Sequence, residues 1–187
     1  SINYFNLNIN KKIILIIGGS LGAEPINETI YENLKLIQRE NTQIIWQTGR
    51  AHYEKYHHLA SSEIKIFSFI EHMHFAYNAA DIVISRAGAI AISEICILKK
   101  PSILIPSPYV AENHQHKNAE ELKNNFATCL ITQDLLKKSF GQELIKLINN
   151  HKYREKLSEN IAQFSSDNAE KVIAKEINQL LKKNNSL

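Results

Sequence analysis

The residues best placed for chemistry begin with Gly18-Gly-Ser-Leu-Gly-Ala23, which follows the apolar run Ile13 to Ile17 and leads into Glu24 and Pro25. Glycines at such a junction let backbone amides approach an anion at a helix N-terminus. The pattern is neither a G-x-G-x-x-G dinucleotide fingerprint nor a Walker A loop, because Ser20 replaces the second glycine and no Gly-Lys-Ser/Thr follows. NAD binding and ATP hydrolysis lose support, which leaves anion contact through Gly19 and Ser20, or a tight turn that binds nothing. A second turn, Ser85-Arg-Ala-Gly-Ala-Ile-Ala-Ile-Ser-Glu94, again places small residues before a helix. Glu94 is the one ionised group in a stretch of Ala, Ile, Ser and Cys that reads as buried, and a buried carboxylate needs a partner. Two ribose hydroxyls would engage both its oxygens; an ion pair with Arg86 or a surface lysine would serve as well.

A third segment, Pro106 to Ala119, is polar and carries Asn113, His114 and Gln115. Amide and imidazole groups make directional hydrogen bonds to neutral hydroxyls, so a sugar is their natural ligand. His72 with His74, and His114 with His116, stand two apart and point to different faces of a helix. No carboxylate or cysteine completes either set, and no Asp-x-Asp is present, so neither a metal site nor a cofactor is expected. His52, His57 and His58, with Tyr53 and Tyr56, read as the solvated face of a helix. Cys96 and Cys129 are isolated and read as reduced core residues, which fits a cytosolic protein.

These residues must be held by something. The chain has 187 residues, 44% hydrophobic and 22% charged, with a formal net charge of +3. That balance describes one globular domain or lobe, and excludes disorder and a nucleic-acid-binding charge pattern. No apolar run approaches the roughly 20 residues of a membrane span, and the Asn-rich start, Ser1 to Lys12, has no secretory character. Strand-like runs lie at Ile13–Ile17, Gln43–Gln47, Ile64–Phe67, Asp81–Ser85, Ser102–Pro106 and Ala127–Ile131. Helical candidates lie between them, near Pro25–Arg39, His52–Ala60, His72–Ala80, Ala89–Leu98 and Gln115–Asn125. The alternation predicts an α/β, doubly wound parallel sheet of about six strands, with the first and fifth near its centre and the ligand edge at a switch point between strands one and four. Helices near Gly141–Asn149, Lys152–Phe164 and Asn168–Lys183 form a C-terminal tail. The last carries Val172, Ile173, Ile177, Leu180 and Leu181 as an apolar stripe.

Together the segments resemble the MurG family of UDP-N-acetylglucosamine transferases, which convert lipid I to lipid II in peptidoglycan synthesis. Gly18–Ala23 is similar to the family's G-G-S-x-G-A loop, and Phe69-Ile-Glu-His-Met73 to its F-[IV]-x-x-M segment. Ser85–Glu94 resembles R-[AS]-G-A-x-[ST]-x-x-E, and Asn113–Ala119 resembles N-H-Q-x-x-N-A. The resemblance implies a Rossmann-like lobe of a two-lobed GT-B enzyme: 1–12 a linker remnant, 13–164 the donor-binding domain, and 165–187 a helix that packs on the N-terminal lobe. That lobe, with the catalytic base and the lipid I site, has no counterpart in the sequence, so the resemblance implies an excised domain or fragment that binds donor without turnover.

By the same resemblance the main chain of Ile70 faces uracil and Glu94 the ribose hydroxyls. Ser20 and the amides around Ala89, Ile90 and Ala91 hold the diphosphate, His114 and Gln115 meet the N-acetylglucosamine hydroxyls, and Gly19, Arg86, Gly88 and Ser93 complete the implied substrate-binding set. Ala91 departs from the family's Thr or Ser, which removes one hydroxyl. The implied enzyme is cytoplasmic and peripheral on the inner membrane, is metal-independent, and binds no nucleic acid. Two other readings share the architecture: a stand-alone donor-binding subunit of a split transferase, and a UDP-N-acetylglucosamine 2-epimerase. A third is a doubly wound interaction module whose glycine turns bind nothing.

Overall fold

The structure, a computed structural model, describes residues 1–110 and 113–165. Its six strands are β1 (Lys12–Ile17), β2 (Thr42–Gln47), β3 (Ile64–Phe67), β4 (Ile82–Ser85), β5 (Ser102–Leu104) and β6 (Cys129–Leu130). All pair in parallel, in the order β3-β2-β1-β4-β5-β6. The helices are α1 (Glu24–Arg39), α2 (Tyr53–Tyr56), α3 (Met73–Ala79), α4 (Ala89–Ile97), α5 (His114–Asn124), α6 (Leu136–Asn149) and α7 (His151–Ile161). The doubly wound class and the switch point between β1 and β4 are as the sequence predicts. The fifth strand is not central: β4 shares the middle with β1, and β5 lies one strand in from the edge. A continuous apolar run reports cover on both faces, which β5 has at that position too.

Alternation sorts the Ile-rich strands onto two faces. Ile14, Ile16, Trp46, Ile82, Ile84 and Ile103 pack with Ile26 and Ile30 of α1 and Phe140 and Leu144 of α6. Leu15, Ile17, Ile45, Val83 and Leu104 pack with Tyr77 of α3, Ile95 of α4 and Leu122 of α5. The register carries a functional consequence. Phe67, Gln47, Ile17, Ser85, Leu104 and Leu130 stand in one row across the sheet. Every loop of chemical interest leaves from that row.

Several local expectations change. Residues 1–12, read as a linker remnant, are anchored by Phe5, which is buried and meets the Phe67 ring edge-on at 5.6 Å. Tyr56 is not on a solvated face: it is buried against Trp46, with ring centroids 5.0 Å apart. The helix expected to start at Gly141 starts at Leu136, and Gly141 sits inside it facing α1, where a Cβ would lie 3.1 Å from Asn33 Oδ1. The missing side chain is a packing feature there, not a helix start. The apolar stripe of Asn168–Lys183 lies outside the described residues.

Both cysteines are buried and free, as expected. The Cys129 thiol lies 3.2 Å from the Tyr153 hydroxyl and 3.3 Å from Glu143 Oε1, to which Tyr153 donates at 2.8 Å. Burial pushes the Cys129 thiol up to about 12 and raises Cys96 as well. The thiolate is the nucleophile, so at pH 8 neither residue should react with a disulfide reagent until the chain unfolds. A thiol titration in the presence and absence of denaturant checks this, and one fast thiol in the folded chain would contradict it.

Candidate functional site

Two turns meet where β1 and β4 end, because Ile17 pairs with Ser85 and each strand leaves the sheet at the next residue. In the first turn the Gly22 N–H donates to the Gly19 carbonyl, and Gly19 and Gly22 have φ of +87° and +84°. Such backbone is strained for side-chain-bearing residues. The two glycines serve different ends. A Cβ on Gly19 would meet nothing within 4 Å, so its backbone is open to a ligand, whereas a Cβ on Gly22 would lie 2.0 Å from the Thr48 carbonyl oxygen. Helix α1 then begins without a side-chain cap and with Pro25 in its first turn.

The second turn leads into α4, whose N-cap Gly88 also offers no side chain. The Ile92 N–H returns to the Gly88 carbonyl, so the amides of Ala89, Ile90 and Ala91 have no partner within the helix. Those donors and the positive end of the helix dipole suit an anion. Helix α4 is not the buried element the sequence suggests. Ala89, Ile90, Ser93 and Ile97 are exposed, Ile90 by 79%, and only Ile95 and Cys96 are buried. An apolar helix lying along a ligand edge gives the same sequence signal as one in a core.

Gly19, Ser20, Arg86 and Gln115 line one depression of about 420 Å³, with Ser107, Tyr109 and Gln133. Ser20 is exposed there, and its hydroxyl has no partner among the described residues. Arg86 donates to the Ile105 carbonyl at 3.2 Å, the Pro106 carbonyl at 3.0 Å and Gln133 Oε1 at 3.1 Å. It therefore ties the ends of β5 and β6 together and makes no pair with Glu94. Burial lowers its ionisation, yet a guanidinium stays charged at neutral pH, so the depression keeps a cation. Gln115 Oε1 accepts from the Ser107 N–H at 2.9 Å, which fixes its amide orientation and leaves both Nε2 protons to donate into the depression. His114 is exposed one residue earlier.

Glu94, Ile70, Gly88, Ala89, Ile90, Ala91 and Ser93 belong to the same sheet edge but do not line that depression. Glu94 is half-buried and has no ion pair among the described residues. Near it the buried Tyr77 hydroxyl makes no hydrogen bond of acceptable geometry; burial, reinforced by the Glu94 charge, pushes the pH at which it ionises well above the usual phenol range and keeps it neutral. The Ile70 N–H is not available to a ligand, because it donates to Gln47 Oε1 at 2.8 Å. The Ile70 carbonyl accepts no hydrogen bond among the described residues.

The sequence reading missed the turn after β2. Gln47, buried at the end of that strand, accepts from Ile70 and donates to the Gly19 carbonyl at 3.0 Å. Asn27 of α1 donates to the Thr48 carbonyl and accepts from Trp46 Nε1, both at 2.9 Å. The available signal was a polar Gln-Thr-Gly closing a strand otherwise buried throughout.

Residues 13–177 match the model of the glycosyltransferase family 28 C-terminal domain. The chain belongs to this family. A curated relative of the family 28 domain, from Flavobacterium psychrophilum, is 44% identical over all of this chain and 51% of its own. It is named UDP-N-acetylglucosamine–N-acetylmuramyl-(pentapeptide) pyrophosphoryl-undecaprenol N-acetylglucosamine transferase. The crystal structure of Acinetobacter baumannii MurG superposes with a TM-score of 0.79 at 27% identity, over 95% of this chain and 52% of that one. A putative UDP-N-acetylglucosamine 2-epimerase from Listeria monocytogenes shares the fold, with TM-score 0.68 and 16% identity over 94% of this chain and 46% of its own. The family 28 domain thus spans about half the length of the curated relatives it matches.

Proposed function

We propose that the chain is the donor-binding half of the transferase that moves N-acetylglucosamine from UDP to lipid I, giving lipid II for peptidoglycan synthesis. The observation that carries this reading is Glu94: a carboxylate without an ion partner among the described residues, on a helix with an uncapped start that follows the strand paired with β1, beside the strand end from which the glycine turn leaves. Ribose hydroxyls satisfy it, and the same ligand places a diphosphate at the amides of Ala89 to Ala91 and at Ser20. The Ile70 carbonyl accepts the uracil N3–H, and Gln115, with His114, reads the sugar hydroxyls. The names of the relatives, shared across this whole chain, support the choice of donor.

In this reading the acceptor C4 hydroxyl oxygen bonds to the anomeric carbon as the bond from that carbon to the diphosphate breaks. A base in the other half of the enzyme takes the hydroxyl proton. Charge grows on the departing UDP, and the α4 amides, Ser20 and Arg86 stabilise it without a metal. Ala91 offers an amide but no hydroxyl. Leu21, Ile90 and Tyr109, exposed by 76%, 79% and 88% at this edge, are the apolar surface that the second half covers when the enzyme closes. The whole enzyme is then cytoplasmic and peripheral on the inner membrane; no helix among the described residues is long and apolar enough to cross it.

Calorimetric titration with UDP-N-acetylglucosamine, UDP-glucose and UDP tests the proposal. All three bind, the N-acetylglucosamine donor most tightly, and Gln115→Ala removes the preference among sugars by roughly tenfold while UDP affinity holds. Absence of binding by every uridine nucleotide would sink it.

A further inference from the structure

We infer that Gln47 is a positioning residue of the donor site, a single side chain that locks the diphosphate turn to the base-reading segment. The inference rests on the donor-site reading above. Gln47 is 2% exposed and its carboxamide is engaged at both ends: Oε1 accepts from the Ile70 N–H at 2.8 Å and Nε2 donates to the Gly19 carbonyl at 3.0 Å. Its two partners lie on loops that leave different strands. Gly19 follows β1, while Ile70 follows β3. Since Gln47 is in register with both Ile17 and Phe67, its side chain spans the gap between those loops at the level where they leave the sheet.

The hydrogen-bond pattern fixes more than distance. The Gly19 carbonyl, already taken by the Gly22 N–H, receives its second hydrogen bond from Gln47, so both lone pairs are occupied and the oxygen is held in the turn. An unpaired carbonyl oxygen pointing at a diphosphate would repel it. Likewise, holding the Ile70 N–H leaves that residue presenting an acceptor alone. A ligand that touches the Gly19–Ser20 turn and the Ile70 carbonyl at once therefore finds its two anchor points at a fixed separation. Asn27 and the Gly22–Gly49 backbone contact brace the next turn outward, but neither reaches Ile70.

Glutamate at this position separates the role from mere packing. Ionised, it accepts from Ile70 but sets a negative oxygen against the Gly19 carbonyl. Protonated, it accepts and donates as the amide does, and burial raises the pH at which it protonates. Titration of the full chain with UDP-N-acetylglucosamine, whose diphosphate diester does not titrate near neutrality, is the test. Gln47→Leu weakens binding by about tenfold or more at every pH, as expected for anchor points displaced by an ångström or less. Gln47→Glu is equally weak at pH 8 and recovers toward the unaltered chain as the pH falls to 5.5. In parallel, the Ile70 amide exchanges slowly in the unaltered chain and fast in Gln47→Leu.

If the unaltered chain binds and Gln47→Glu follows it at every pH, or Gln47→Leu binds equally well, the inference fails and the donor reading stands. If the unaltered chain binds no uridine nucleotide, the donor reading fails and takes this inference with it. A slow Ile70 amide in Gln47→Leu overturns the inference independently of any ligand.

Discussion

Glu94→Ala should weaken UDP and UDP-N-acetylglucosamine alike by about 10- to 100-fold, since hydrogen bonds to a charged group contribute roughly 1.5–3 kcal/mol and tenfold is about 1.4 kcal/mol. The loss should fall on the ribose. The unaltered chain prefers UDP to 2′-deoxy-UDP, and Glu94→Ala binds the two nearly equally, so a double cycle of residue and hydroxyl isolates the contact. Because Arg86 is engaged by carbonyls and Gln133 and makes no pair with Glu94, the substitution leaves no guanidinium stranded. Thermal unfolding of the variant reads any cost to stability separately, since the buried Tyr77 hydroxyl lies near Glu94. Retained discrimination against the deoxy nucleotide in the alanine variant would remove Glu94 from the ribose.

The largest expected effect on stability lies at the contact between the first turn and the turn after β2. Gly49 has φ +85°, and a Cβ there would lie 2.2 Å from the Gly22 nitrogen and 2.3 Å from the Leu21 carbonyl oxygen. Those atoms are backbone and cannot swing aside. Gly49→Ala should cost about 3 kcal/mol or more, from left-handed strain of roughly 1–2 kcal/mol plus the clash, and should disable nucleotide binding. Gly19→Ala carries the same sign of φ with open space around it. It should cost only the roughly 1–2 kcal/mol backbone term while still weakening the diphosphate. Chemical denaturation of both variants decides, and equal costs at the two glycines would refute the assignment of Gly49 to backbone packing.

The two predictions differ in how far the residues alone could have reached. Glu94 was visible because a lone carboxylate in an apolar stretch has few resting places, and the strand before it and glycine turn beside it fixed which edge it served. The strand–helix alternation, the parallel sheet and the switch point all followed from periodicity, which local sequence controls directly. Gly49 and Gln47 were not visible. Each acts across a gap between strands distant in sequence, and neither belongs to a run whose spacing announces a role. Tyr56 was misplaced for a related reason: its neighbours in sequence are polar, and its burial comes from rings distant in the chain, Trp46 and Tyr31.

By itself, then, the sequence determined the class of fold, the edge of the sheet that meets a ligand, and the residue types that suit a nucleotide sugar. These depend on patterns within about ten residues. Tertiary structure alone decided how α4 lies, since an apolar helix is compatible with a core or with an open edge until its neighbours are placed. It also assigned Arg86 to the carbonyls of Ile105 and Pro106 in place of Glu94, and it withdrew the Ile70 N–H from any ligand by giving it to Gln47. The last two outcomes are each a competition for one hydrogen-bonding group among partners that only the register of the strands brings within reach.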